Sequence, residues 1–191
     1  MAVPLDPEAV RLAPGLRFAT GDGGPLIAMS ESALPDWLGA HDAAGNVLDF
    51  DAGSDYARAC DETFALIDVG STRALTIDSS DSGAFLARPD GALIIRWVGA
   101  HDTETLISAA LAIPADRYQD IEGELPHDRG RLVMFDALER GSALDAESMV
   151  SIELPAGCYA VRVCAYWEGP VIGVDGLPHD TMVQTIELRR R

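Results

Sequence analysis

Tyr159-Ala160-Val161-Arg162-Val163-Cys164-Ala165-Tyr166-Trp167 is the stretch on which the fold turns. Tyr159, Val161, Val163, Ala165 and Trp167 occupy every second position. A period of two places them on one face of a strand. The same alternation recurs in Val150-Ser151-Ile152-Glu153-Leu154, and again at Met182, Gln184, Ile186 and Leu188. Half-buried antiparallel strands have this pattern, apolar inward and polar outward. Residues 132–135 add a short apolar strand.

The N-terminal half reads as hairpins. Residues 16–20 and 26–29 flank Gly21-Asp22-Gly23-Gly24-Pro25. Residues 64–69 and 73–78 flank Gly70-Ser71-Thr72, and residues 85–88 and 92–98 flank Pro89-Asp90-Gly91. Glycine, proline and aspartate are the residues that close such turns. Helical segments are expected at 30–38, with Pro35 inside, and at 55–63, with Asp55 as its cap. A third is expected at 103–112, capped by Asp102, with Leu106, Ile107, Ala110 and Leu111 as one stripe. Pro114 stops it. Residues 39–53 read as a long acidic loop, and 115–130 as polar and turn-rich. Together these predict an α+β chain, predominantly antiparallel β-sheet built from hairpins, with two or three short helices. The expectation is one domain over residues 1–191, with 113–130 as the place for an internal sub-boundary. Hairpins in place of alternating strand–helix units argue against a doubly wound parallel sheet.

Charge narrows the partners. Thirty-one Asp and Glu oppose 14 basic residues, all of them Arg, for a formal net charge of -17 over 191 residues. Hydrophobic residues make up 48%, enough to build a core, so the chain is not a disordered acidic tail. An acidic field repels nucleic acid and anionic membrane and attracts basic partners. Arg without Lys, beside abundant Ala, Asp and Gly, fits a GC-rich bacterial source. The first 15 residues lack the apolar run of a secretory signal, and no stretch approaches the ~20 apolar residues of a membrane span. These features predict a cytoplasmic protein. Three cysteines, Cys60, Cys158 and Cys164, make an odd number and read as buried reduced thiols. Cys158 and Cys164, on one strand, would stand roughly 20 Å apart, beyond disulfide reach.

Each histidine precedes an aspartate: His41-Asp42, His101-Asp102, His127-Asp128 and His179-Asp180. A metal-dependent phosphohydrolase uses such pairs on helices, with further ligands converging on the ion. Here the pairs follow Gly-Ala or Leu-Pro, where Asp caps helices and closes turns. Asp49-Phe50-Asp51-Ala52-Gly53-Ser54-Asp55 invites a calcium-loop reading, with Asp51, Gly53, Asp55 and Glu62 at the first, third, fifth and twelfth positions. Gly53 offers no side-chain oxygen there, and Tyr56 stands where the loop needs Gly. A solvated acidic loop and contact surface is the better reading. There is no Gly-x-Ser-x-Gly elbow, and Gly21–Gly24 lacks the Lys and Ser/Thr of a phosphate loop. Trp37, Trp97 and Trp167 read as core residues. Sequence alone assigns no catalytic residue, no metal and no cofactor.

One arrangement resembles a known family. Gly23-Gly24-Pro25-Leu26-Ile27 is followed by Trp37-Leu38-Gly39, then by Asp55-Tyr56-Ala57-Arg58-Ala59-Cys60, an apolar hairpin and Arg96-Trp97-Val98. This order is similar to the immunity protein 21 family of bacterial polymorphic toxin systems. Motifs carry the likeness over roughly 17–100, and strand pattern carries the remainder. The resemblance implies a cytoplasmic antidote that binds and occludes a cognate toxin, with no catalytic residue. Gly23, Gly24, Pro25, Trp37, Asp55, Tyr56, Cys60, Arg96 and Trp97 are then motif positions, the glycines and tryptophans read as fold-defining. Contacts would lie on the acidic surface, at Asp49, Asp51, Asp55, Asp61 and Glu62. A basic toxin suits the charge, because many toxins that attack nucleic acid are basic to match their anionic substrate. Two alternatives stay open: a small metal-dependent hydrolase using the His-Asp pairs, and a non-catalytic ligand-binding β-module. Oligomeric state is not legible.

Overall fold

Ten strands, arranged as two five-stranded antiparallel sheets, organise the computed structural model, which describes residues 16–21, 23–48, 53–77, 82–128, 130–172 and 177–191. In chain order the strands are β1 (Leu26–Ser30), β2 (Leu66–Val69), β3 (Thr72–Ile77), β4 (Gly83–Arg88), β5 (Gly91–Gly99), β6 (Gln119–His127), β7 (Arg131–Asp136), β8 (Met149–Glu153), β9 (Gly157–Ile172) and β10 (Pro178–Arg190). The first sheet runs β2-β3-β1-β7-β8 and the second β4-β5-β10-β9-β6. Two α-helices, α1 (Asp55–Asp61) and α2 (Thr103–Ala112), and short 3₁₀ turns complete the described residues. The fold is α+β.

The sheets pack face to face. Leu26, Leu75, Ile77, Leu132 and Met134 from the first meet Ile94, Val161, Ile186 and Leu188 from the second in one buried cluster. Each such side chain contributes about 1.5–3 kcal/mol relative to exposure. Both outer faces are covered as well. The 3₁₀ turn Glu31–Asp36 and α1 lie on the first sheet, over Ile27, Met29, Val133 and Phe135. Helix α2 lies on the second, with Leu106, Ile107, Ala109 and Ala110 against Leu93, Ile95 and Val183. Asp102 caps α2 as the sequence predicts, its Oδ1 accepting from Thr105 N–H at 2.7 Å. The β2–β3 and β4–β5 hairpins form at the predicted turns.

Several local expectations are corrected. Residues 16–20 do not pair with 26–29; Ala19 bridges Gly83 instead, and β1 lies between β3 and β7. All five β1 residues are buried, so this strand needs neighbours on both edges and cover on both faces. Residues 119–127 form β6 within the run read as turns. Its pairing with β9 shifts between Asp120 and Glu124, and Gln119, Asp120 and Glu122 are exposed, so a bulged, charged edge strand carries no clean alternation. In β9 the pairing with β10 slips between Val183, opposite Trp167, and Thr185, opposite Cys164. That bulge turns Trp167 away from Tyr159, Val161 and Val163, to pack on the α2 side with Cys164, and leaves Ala165 exposed. Ser54, not Asp55, caps α1, its Oγ accepting from Ala57 N–H at 3.0 Å. All three cysteines are free, and only Cys164 is buried; Cys60 and Cys158 face solvent.

Candidate functional site

The motif segments far apart in the chain meet on the outer layer of the first sheet. Trp37 is fully buried there, and its Nε1–H donates to the Ala137 carbonyl at 3.1 Å. The next residue, Leu38, donates its backbone N–H to Asp55 Oδ2 at 2.9 Å. Asp55 Oδ1 accepts from Arg58 Nη1 at 2.9 Å, and Arg58 also donates to the Asp68 carbonyl. The Gly39 carbonyl accepts from Tyr56 N–H at 3.1 Å. Helix α1 has only seven residues, too few to be stable alone. These bonds, with the Ser54 cap, hold it to the 37–39 segment and fix where Tyr56 and Cys60 stand.

A pocket of 180 Å³ opens between α1 and the 23–25 turn, lined among others by Gly23, Gly24, Pro25, Tyr56, Cys60 and Glu62. Gly24 is required by close approach. A Cβ there would lie 2.5 Å from the Tyr56 hydroxyl and 2.8 Å from its ring. Tyr56 thus forms one wall, with Cys60 one helical turn further along α1. Burial pushes the Tyr56 phenol up to about 12, helped by its hydrogen bond with Cys60 and by the charges of Cys60 and Asp136. Its folded pKa exceeds the unfolded value of about 10, so its contribution to stability is complete below pH ~10 and is lost as pH rises toward 12. We expect the phenolate absorbance that Tyr56→Phe removes, read in a spectrophotometric titration, to appear near pH 12; a missing step centred at pH 10 would overturn that assignment.

The predicted acidic contacts divide. Asp49 and Asp51, with most of the calcium-loop motif, lie outside the described residues. Asp55 holds Leu38 and Arg58, with its side chain 17% exposed, and so is largely committed within the fold. Asp61 and Glu62 are exposed at the end of α1. Arg96 and Trp97 stand apart from the pocket, on β5 of the second sheet. Arg96 is buried and its Nη1 donates to Gln184 Oε1 at 2.8 Å. Trp97 is half-buried and meets Phe18 edge-on, with ring centroids 5.5 Å apart.

The histidines do not form one centre. His127 is buried between Ser30 Oγ, at 2.8 Å from Nδ1, and the Leu154 carbonyl, at 3.2 Å from Nε2. A carbonyl only accepts, so Nε2 donates to Leu154. His101 and His179 do approach, with ring centroids 4.9 Å apart, and Asp102 Oδ2 lies 3.3 Å from His101 Nδ1. Asp42 closes a turn by accepting from Asn46 N–H at 2.9 Å. Among the described residues no group of three or more His, Cys, Asp or Glu is placed to hold a metal ion. Sequence reading missed Asp136 and Ala137, which back Tyr56 and Trp37; they follow an apolar strand and carry no local signal.

The described residues form a double sheet braced by α1, with a small pocket beside that helix to which Glu62 contributes a carboxylate. The Immunity protein 21 family matches residues 17–170, and the chain belongs to that family. No curated protein and no solved structure matches it. No helix among the described residues is long and apolar enough to cross a membrane.

Proposed function

We propose that this chain neutralises a cognate, basic bacterial toxin by binding it and occluding its active site. Membership of the Immunity protein 21 family over residues 17–170 carries the reading. The net charge of -17 supports it physically. A toxin that attacks nucleic acid presents a cationic cleft, and an acidic inhibitor is drawn to it and blocks it. On this reading the protein acts in the cytoplasm, uses no cofactor, binds neither nucleic acid nor membrane, and catalyses nothing. The core shared by both sheets supports a single domain. Asp49, Asp51, Asp61 and Glu62 are the contact residues, while Asp55 chiefly braces α1.

Tagged protein is used to capture partners from source-cell lysate, with washes of rising salt and identification of what is retained. The expected result is one basic, toxin-like protein whose retention falls with salt. Reversing charge at Asp49, Asp51 and Asp61 together should weaken its binding about tenfold or more, mostly through slower association. Capture insensitive to both salt and charge reversal would reject electrostatic occlusion.

A further inference from the structure

We propose that the pocket between α1 and the 23–25 turn receives one cationic side chain, an arginine, from the partner protein. The partner's identity rests on the immunity reading; the chemistry of the pocket does not.

Size decides the class of occupant. At 180 Å³ the pocket is well below the roughly 300–1,000 Å³ of small-molecule sites, but it admits a single side chain. Charge decides its sign. Among the described residues no base lines the pocket, Glu62 stands at it, and Asp61 adjoins Glu62. Neither acid has an ion-pair partner among the described residues. The larger groove between β2 and β6 differs in this respect. Its Asp120 already pairs with Arg162 at 3.2 Å, and its Arg73 pairs with Asp68 at 3.4 Å.

Shape favours arginine over lysine. The Tyr56 ring is a fixed wall, packed so closely on Gly24 that no side chain fits between them. A planar guanidinium stacks on such a ring while its edge donates to a carboxylate, which a compact ammonium does less well. The pocket is also pre-formed. Pro25 is buried, its carbonyl accepts from Ala137 N–H at 2.9 Å, and α1 is tied at Leu38 and Gly39. Little ordering cost remains when the occupant arrives. Arginine and tyrosine are both enriched among binding hot spots.

The test is a nuclear magnetic resonance titration of the full chain with acetyl-arginine amide, using acetyl-citrulline amide as the uncharged isostere. Shifts should concentrate at Gly23, Gly24, Tyr56, Cys60 and Glu62 and be absent with citrulline. Glu62→Gln should weaken the arginine affinity by about fivefold, the upper range for a partly exposed ion pair. Glu122→Gln, on the β6 edge, should leave it unchanged. Equal binding of citrulline, an unchanged affinity in E62Q, or shifts spread evenly over all acidic residues would overturn the proposal. With a captured toxin, E62Q binding as tightly as the native chain would also overturn it. Failure of the native chain to capture any toxin bears on the immunity reading instead, and the arginine titration still decides the pocket.

Discussion

Trp37→Ala is expected to cost about 4 kcal/mol of folding stability, within the range for deleting a fully buried aromatic side chain. Trp37 is 0% exposed and lies in one cluster with Ile27, Met29, Val133 and Phe135. Those residues belong to β1 and β7, the paired strands at the centre of the first sheet, whose backbones cannot close inward to fill the void. The Ala137 carbonyl also loses its indole donor, a second and independent cost. Natural domains are stable by only about 5–15 kcal/mol, so the loss would be a large fraction of the whole. Trp37→Phe separates the two contributions. It keeps most of the apolar volume and removes the N–H, and should cost about 1–2 kcal/mol. Urea unfolding followed by circular dichroism measures both. A loss under ~1 kcal/mol for the alanine variant would mean that the 37–39 segment is not part of the core. Because Leu38 and Gly39 hold α1, the same variant should loosen the pocket before the sheets separate.

How much of this was legible in the sequence depended on whether each signal was local. The β2–β3 and β4–β5 hairpins were readable because turn chemistry and strand pattern sit side by side in the chain. Helix α2 was readable from Asp102, its apolar stripe and Pro114. Strand β1 is read as a strand but given the wrong partner, because a run buried on both faces shows no alternation and its partners β3 and β7 are distant in sequence. Strand β6 was missed because a bulge broke its period and an exposed edge filled it with acids. The same mechanism hid the switch of faces in β9: the count of two is sound up to Val163, and the inserted residue near 165 inverts it thereafter. The pocket was legible only as a set of motif positions. That Gly24 must lack a side chain because Tyr56 occupies its space is a tertiary fact. That Asp55 is largely used up by Leu38 and Arg58, leaving Asp61 and Glu62 as the described free acids of the set, is likewise invisible to a count of charges.

Gly39→Ala should destabilise the protein by about 3 kcal/mol, combining a left-handed backbone cost with steric conflict. Gly39 has φ 60, which side-chain-bearing residues adopt only with strain. A Cβ there would lie 2.4 Å from the Leu138 carbonyl oxygen and 2.5 Å from that of Glu139. Both are backbone atoms, so no rotamer change relieves the contact. They are also pinned, because Ala40 N–H donates to the Leu138 carbonyl at 3.1 Å. The strain must therefore move either the 138–139 segment or the 39–40 segment. Moving the second displaces the Gly39 carbonyl from Tyr56 N–H and tilts α1 away from the 23–25 turn. Gly23→Ala is the control. Its φ is 93, yet a Cβ there would meet nothing within 4 Å, so only the backbone cost applies, about 1 kcal/mol. In a domain of this size the two variants should lower Tm by roughly 6–12 °C and 2–4 °C respectively. Equal shifts would mean that the approach of Gly39 to the 138–139 backbone is not maintained in solution. A larger shift for Gly39→Ala, with resonance changes reaching Tyr56 and Cys60, would show that the glycine's lack of a side chain sets the seat of α1, and through it the mouth of the pocket.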